Sequence, residues 1–218
     1  MTRPLKAVLF DYGNTLIAFG PEQQAAQSKA MIRVLSDAGR TVDTEALDKL
    51  RREQVLRPYT RGGIENDFTE VCREIVELSG PDDAKGTLTR AIMKSRQVAF
   101  INSVYTAPEV PKLLDRLKQK YQLALLSNYP CTTSIVDSLH RMELHSYFDH
   151  IVVSSDVGYA KPHPATYEAL LCGVDAKADE CVYIGDNWLA DIQGAKRAGM
   201  RAVWVREHIP YETFSPEK

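Results

Sequence analysis

Lys6 to Phe10 (KAVLF) is a short apolar run with β-branched and aromatic content, and it ends abruptly at a carboxylate, Asp11. A run of this length with a turn behind it predicts a buried strand. From Pro21 to about Ala99 the pattern changes to helical spacing with no strand signal. Phe68, Val71, Cys72, Ile75 and Val76 fall at i, i+3, i+4, i+7 and i+8, and Ala26, Ala30, Val34 and Ala38 fall at successive fourth positions. Breakers at Gly39, from Pro58 to Gly63, and at Gly80-Pro81 divide this block into about four helices.

After Ser103 helices and strands alternate. Val110, Leu113, Leu114 and Leu117 predict a helix, Gln122 to Leu126 a strand, Ile135, Val136 and Leu139 a helix, and His150 to Val153 a strand. Ala165 to Cys172 then reads as helix, Cys181 to Ile184 as strand, Leu189 to Ala198 as a helix closed by Gly199, and Ala202 to Val205 as a last strand. Strands separated by helices of this length imply a parallel sheet covered on both faces, a three-layer Rossmann-like α/β arrangement. The first strand belongs with that half. The α-helical bundle is therefore an insertion, which divides the chain into an α/β core of residues 1–19 and 100–218 and a helical domain of residues 20–99. The tail from Pro210 to Lys218 reads as a surface terminus.

Composition narrows the classes without choosing among enzymes. Over 218 residues, 44% hydrophobic and 26% charged content is that of a folded globular protein. A net charge of -2 argues against a general nucleic-acid binder, and short basic groups such as Arg51-Arg52 and Lys196-Arg197 read as solvated helix faces. Cys72, Cys131, Cys172 and Cys181 show no metal or CxxC spacing and are expected to be reduced, mostly buried thiols. The first apolar run is too short for a signal peptide, and no stretch approaches the roughly 18 apolar residues needed to span a bilayer. A cytoplasmic location follows as an expectation.

In an open parallel sheet, reactive groups gather at the carboxyl ends of the strands, beside the topological switch point. Four strand ends or following loops carry polar signatures: FDYGNTL from Asp11, LLSN ending at Asn128, GYAKPHP with Lys161, and IGDNWLAD with Asp186 and Asp191. Taken singly, each has an ordinary reading: Asp11 as a turn start, Ser127-Asn128 as a turn pair, Lys161 as a loop cation, Asp191 as a helix-start carboxylate. His163, between two prolines, reads as a surface loop residue, and Trp188 as packing against the sheet.

Together, in this order on these elements, the four segments resemble the motifs of the haloacid dehalogenase superfamily. The resemblance covers essentially the whole chain, with the inserted helices matching that superfamily's mobile helical cap. It implies a phosphatase in which Asp11 is the nucleophile that accepts phosphate, because a carboxylate attacking phosphorus splits a difficult hydrolysis into two easier steps. It further implies Mg²⁺ held by the Asp11 carboxylate, the Gly13 main-chain carbonyl and the Asp186 carboxylate. Asp191 would stand behind these ligands, orienting metal-bound water or pairing with Lys161. Ser127 and Asn128 would donate hydrogen bonds to phosphate oxygens, and Lys161 would offset the charge of nucleophile and phosphate. The implied substrate is a small phosphorylated metabolite, bound to a monomer or homodimer, with no nucleic acid or membrane partner.

One position departs from the pattern. Phosphatases of the superfamily usually carry a second aspartate two residues after the nucleophile, which protonates the leaving alcohol; here Gly13 stands there, followed by Asn14. Loss of such a group costs about 10² to 10⁴ in rate for poor leaving groups. Three outcomes remain open: a phosphatase whose substrate leaves easily or whose acid comes from the cap or water, a dehalogenase attacking carbon, or a phosphate-binding regulatory protein with slow or no turnover. The retained paired acids favour magnesium and phosphate. Specificity should reside in the cap, and the segment Arg57 to Gly63 offers Arg57, Tyr59 and Arg61 as candidate substrate contacts.

Overall fold

The computed structural model describes residues 3–82 and 84–206; the expected surface terminus from Pro210 to Lys218 lies outside the described residues. Five strands form one parallel sheet: β1 (Ala7–Phe10), β2 (Gln122–Ser127), β3 (His150–Val153), β4 (Cys181–Gly185) and β5 (Arg201–Trp204), in the order β3-β2-β1-β4-β5. The first strand is central. Alternation along β1 sends Val8 and Phe10 to one face, against Leu114 and Leu139, and Ala7 and Leu9 to the other, against Tyr167, Leu170 and Ala195. Because both faces are covered, all four β1 residues are buried, which is why the strand reads as a continuous apolar run. Each large apolar side chain buried here contributes roughly 1.5–3 kcal/mol.

Between β1 and β2 run α1 (Pro21–Asp37), α2 (Thr44–Thr60), α3 (Phe68–Glu77) and α4 (Thr87–Ser103), followed by α5 (Glu109–Lys118). Asp43 and Asp67 start α2 and α3 by accepting hydrogen bonds from the main chain of Glu45 and Glu70, each at 2.9 Å. The expected apolar face of α3 is present: Val71, Cys72, Ile75 and Val76 pack with Met31, Leu35, Leu47 and Ile92 in a core of their own. The expected stripe of α1 is displaced. Its buried positions are Gln23, Gln27, Met31 and Leu35, whereas Ala26, Ala30 and Val34 flank them and Ala38 is exposed. Two glutamines on the inner face carry no hydrophobic signal, so the apolar pattern pointed one residue off. The 99/100 division falls inside α4, where Ile92 belongs to the helical core and Phe100 to the sheet's core.

The second half continues with α6 (Thr132–Arg141), a short α7 (Ser154–Val157) and α8 (Pro164–Cys172). The helix expected over Leu189 to Ala198 is instead a π-helical turn, Trp188–Gln193, running into α9 (Gly194–Arg197). Tyr167, seated where a side chain at Gly194 would clash, donates its hydroxyl proton to the Ala190 carbonyl. That carbonyl is the acceptor the Gly194 N–H would use in a regular helix, so the turn widens. Trp188 packs on Trp204 of β5, with ring centroids 4.8 Å apart.

The cysteines are free but not mostly buried: Cys72 and Cys181 are, Cys131 is half-buried and Cys172 is exposed. Among the described residues no helix is long and apolar enough to cross a membrane.

Candidate active site

The carboxyl edge of the sheet brings the four sequence segments to one place. Asp11 follows β1, Ser127 closes β2, Asp186 follows β4, Asp191 sits on the π turn, and Lys161 lies in the loop entering α8. The Lys161 ammonium is the hub. It donates to Asp11 Oδ1 at 2.6 Å, Asp191 Oδ1 at 2.8 Å, the Tyr183 hydroxyl at 2.9 Å and the Leu126 carbonyl at 3.0 Å. Only 2% of Lys161 and 1% of Asp191 is exposed, so this ion pair lies in a low-dielectric interior where an unpaired charge would be costly.

Each side chain has a local reason for its pose. Asp191 Oδ2 accepts from the Asn187 main-chain N–H at 2.8 Å, while Asn187 Oδ1 accepts from Ala190 N at 2.9 Å, locking the turn. Gly185 lets the Asp191 carboxyl lie directly on β4, where any Cβ would overlap it. Asp11 Oδ2 accepts from the Thr15 hydroxyl at 3.1 Å. The loop after Asp11 closes through Asn14, which has φ 57°, donates its N–H to the Ile17 carbonyl at 2.7 Å and takes the Phe19 N–H on its side chain at 3.0 Å. The bonds bridging this loop use Tyr12 O and Asn14 N, and the Gly13 carbonyl takes part in neither. The Asp186 main-chain carbonyl accepts from the Trp204 indole at 2.8 Å.

Asn128 behaves differently from its expected use. Its carboxamide clasps Lys161 at both ends, donating to the Lys161 carbonyl at 3.1 Å and accepting from the Lys161 N–H at 2.7 Å. It therefore holds the lysine loop in place, and its side chain also meets the Tyr59 hydroxyl. Ser127 is buried beside it at the end of β2.

The electrostatics ask for a cation. Oxygens of Asp11, Asp186 and Asp191 lie within 4.8 Å of one another, and three carboxylates face one ammonium. Burial, then repulsion from Asp11 and Asp191, pushes the Asp186 carboxyl up to about 8. Asp191 rises to about 6 through burial, moderated by Lys161. Lys161 is pulled down by burial, but Asp11 and Asp191 outweigh that and hold it well above its ordinary value. A hard divalent cation with oxygen ligands fits this donor set.

Beside this edge a cavity of about 940 Å³ opens between α1, α2, α4 and the loop after β2. Its wall includes Asn128 and Ala160, the chain neighbours of Ser127 and Lys161. Of the three residues expected from Arg57 to Gly63, only Tyr59 lines it. Burial raises the Tyr59 hydroxyl's pKa, with Lys161 as its next strongest influence. Arg57 is tied to Glu74 by two bonds of 2.9 Å, and Arg61 is exposed. Arg51 corrects the expected solvated face: it is half-buried and lines the cavity. His163 is not a free surface residue either, since its ring accepts from Ala165 N at 3.3 Å to start α8 and stacks on Tyr159 at 3.9 Å. Sequence reading missed Thr15 and Tyr183. A threonine in a turn and a tyrosine in an apolar strand look like ordinary structure.

The family model described as haloacid dehalogenase-like hydrolase matches residues 40–205. The chain is 30% identical over 207 residues to the glyceraldehyde 3-phosphate phosphatase of Methanothermobacter thermautotrophicus, covering 94% of this chain and 87% of that protein. Its fold is similar to the HAD-hydrolase YfnB of Bacillus subtilis bound to magnesium, with TM-score 0.69 and 20% identity over 96% of this chain and 93% of that one. It is similar also to a 2-haloacid dehalogenase of Pseudomonas syringae pv. tomato, with TM-score 0.71 and 25% identity over 92% and 86%. A parallel sheet with an acidic carboxyl edge, a buried lysine and this family match lead to one conclusion: the chain belongs to the haloacid dehalogenase-like hydrolases.

Proposed function

We propose that the chain is a Mg²⁺-dependent phosphatase of small phosphorylated metabolites, acting through an aspartyl phosphate on Asp11. The observation that carries this reading is the buried Lys161 bonded to both Asp11 and Asp191 with Asp186 alongside. Three carboxylates around one lysine suit a divalent cation and a phosphate dianion together, and the phosphatase among the relatives agrees.

Asp11, Asp186 and the Gly13 carbonyl are the groups that would hold Mg²⁺. When bound, the ion neutralises charge on the phosphoryl oxygens as it builds up. The chain's own residues do the rest. Asp11, held by Lys161 and Thr15, points one carboxylate oxygen at phosphorus. As the new O–P bond forms, the bond to the leaving oxygen breaks in line, and the phosphoryl group passes to Asp11. Water then attacks phosphorus and frees inorganic phosphate and the Asp11 carboxylate. Lys161 offsets negative charge beside Asp11 and the phosphoryl oxygens, and Asp191 keeps Lys161 in place. Ser127 donates to the phosphoryl oxygens, and Asn128 joins it by turning its second amide proton from the Tyr59 hydroxyl to the phosphoryl group. With glycine at position 13, the leaving oxygen takes its proton from water or departs unprotonated, so substrates with good leaving groups turn over fastest.

Residues 20–99 would act as a cap over a core of residues 1–19 and 100–218, excluding water while chemistry proceeds. The likeness to a dehalogenase and the glycine at position 13 favour a second reading, attack of Asp11 on carbon. The acidic cluster weighs against it, because carbon attack leaves no role for a cation there. A phosphoester panel with and without Mg²⁺, run beside halide release from a haloacid, separates them. Phosphate release that requires Mg²⁺ and is abolished by Asp11→Asn is the expected outcome. Halide release alone, or phosphate release unaffected by Asp11→Asn, rejects the proposal.

A further inference from the structure

The cavity beside the catalytic edge holds polar groups that the reaction does not use. Arg96, on α4, is 9% exposed, and its Nε and Nη1 have no hydrogen-bond partner. Its guanidinium sits over the Phe68 ring at 5.5 Å and meets the Tyr129 hydroxyl and the Cys72 thiol, which fixes its direction but leaves the Nε and Nη1 protons unsatisfied. Gln54, on α2, is in the same condition with the opposite polarity. Its amide nitrogen donates to the Val71 carbonyl at 3.0 Å and to Glu74 at 2.9 Å, and the carbonyl end, Oε1, is buried with no donor.

Charge makes the same point. Lys29, Arg51, Arg52 and Arg96 line the cavity against two carboxylates, Asp48 and Glu65. Glu65 is already engaged with the Ser154 hydroxyl and the Asn66 N–H. Arg51 is held by neutral acceptors, the Gln24 carbonyl at 2.8 Å and the Ser28 hydroxyl, and neither Arg51 nor Arg96 forms an ion pair among the described residues. Burial, reinforced by the like charge of Arg96, lowers Arg51 to about 10. Asp48 acts on Arg51 through its charge without forming an ion pair with it. Two guanidiniums in one poorly solvated space with no paired carboxylate form a site for an anion, because such groups gain most from a charged, bidentate acceptor.

We infer that this cavity receives the leaving group and that Arg96, aided by Arg51, binds an anionic oxygen group on it, with Gln54 Oε1 accepting from a neighbouring hydroxyl. The substrate class is then a hydroxylated phosphomonoester bearing a second anion, a carboxylate or another phosphate. The inference rests on the phosphatase reading for the direction of the substrate. It puts the phosphoryl group at Asp11 and the second anion at the far end, past Tyr59 and Asn128.

Binding to an Asp11→Asn protein, which cannot turn over, tests this apart from catalysis. Thermal stabilisation would be measured with Mg²⁺ and three probes: 3-phosphoglycerate, fructose 1,6-bisphosphate and glycerol 3-phosphate. The expected result is apparent affinity about tenfold or more higher for at least one doubly anionic probe than for glycerol 3-phosphate. That preference is lost on adding Arg96→Gln and partly kept with Arg96→Lys. Which doubly anionic probe wins tells carboxylate from phosphate. Equal binding of all three probes, or a preference that survives Arg96→Gln, overturns the inference. Should Arg96→Gln fail to fold, Arg51→Gln is read in its place, with loss of preference expected and an unchanged preference counting against it. The preference in Asp11→Asn together with no phosphate release by the wild-type protein would sink the phosphatase reading and leave the anion site standing.

Discussion

At the scale of single residues, position 13 has the largest chemical consequence. A side chain there would meet Phe19 Cβ at 3.6 Å, an ordinary contact, and Gly13 is not among the glycines with positive φ. The missing acid can therefore be restored without rebuilding the loop. Gly13→Asp should raise turnover of alkyl phosphates, whose leaving groups need a proton, by up to about 10² to 10⁴ over its effect on aryl phosphates. Parallel measurement of kcat on the two classes checks this, and equal effects would mean that proton transfer is supplied elsewhere. The residues legible in sequence were those whose type and position conflict with bland roles: carboxylates and a lysine at the ends of apolar strands. Arg96 gave no such signal. In the run KSRQVAF it looks like one more polar helix position, and only the fold shows it to be buried.

At the scale of elements, the segment between α2 and α3 is strapped to the loop that carries Lys161. Glu65 N donates to the Gly158 carbonyl at 3.0 Å, Ala160 N to the Gly63 carbonyl at 2.7 Å, and Ile64 bridges Tyr159. Helical block and catalytic loop are thereby joined one residue from the lysine. The Glu65 side chain seals the strap through the Ser154 hydroxyl. Burial raises its pKa above the ordinary 4.5, with the Ser154 and Asn66 bonds offsetting part of the rise. The sign follows from linkage. An acid whose folded pKa is raised contributes stability that is full below about 4.5 and lost as pH rises through the raised value. Glu65→Gln keeps one of the two acceptor oxygens and removes the charge, so its melting temperature should gain on wild type as pH goes from 4 to 7. Parallel melting curves across that range would show that Glu65 is not buried as a carboxylate. None of this strap was visible in sequence, since Arg57 to Gly63 offered only turn residues and tempting cations. Arg57 is spent on Glu74, and of the three it is Tyr59 that lines the cavity.

At the scale of the whole molecule, the alternation of strands and helices after Ser103 was legible because both sheet faces are buried, which writes each strand as an apolar run. The helical insertion was legible from α3, whose apolar face points into a core of its own. What the pattern missed were the departures from regularity: the polar inner face of α1 and the π turn under Asp191. Both arise from contacts distant in sequence, Tyr167 with Ala190 and Gln27 with Tyr129, which periodicity does not record. These departures surround the site, where the fold gives up regular geometry to place a lysine, three carboxylates and an anion-poor cavity along one edge. The central claim, that Asp11 itself becomes phosphorylated, is most directly tested by acid-quenching the enzyme during turnover with Mg²⁺ and an aryl phosphate and weighing the peptide that contains Asp11. The account predicts a phosphate adduct on that residue, absent in Asp11→Asn. Turnover with an unmodified Asp11 peptide at every quench time, or an adduct on another residue, would contradict it.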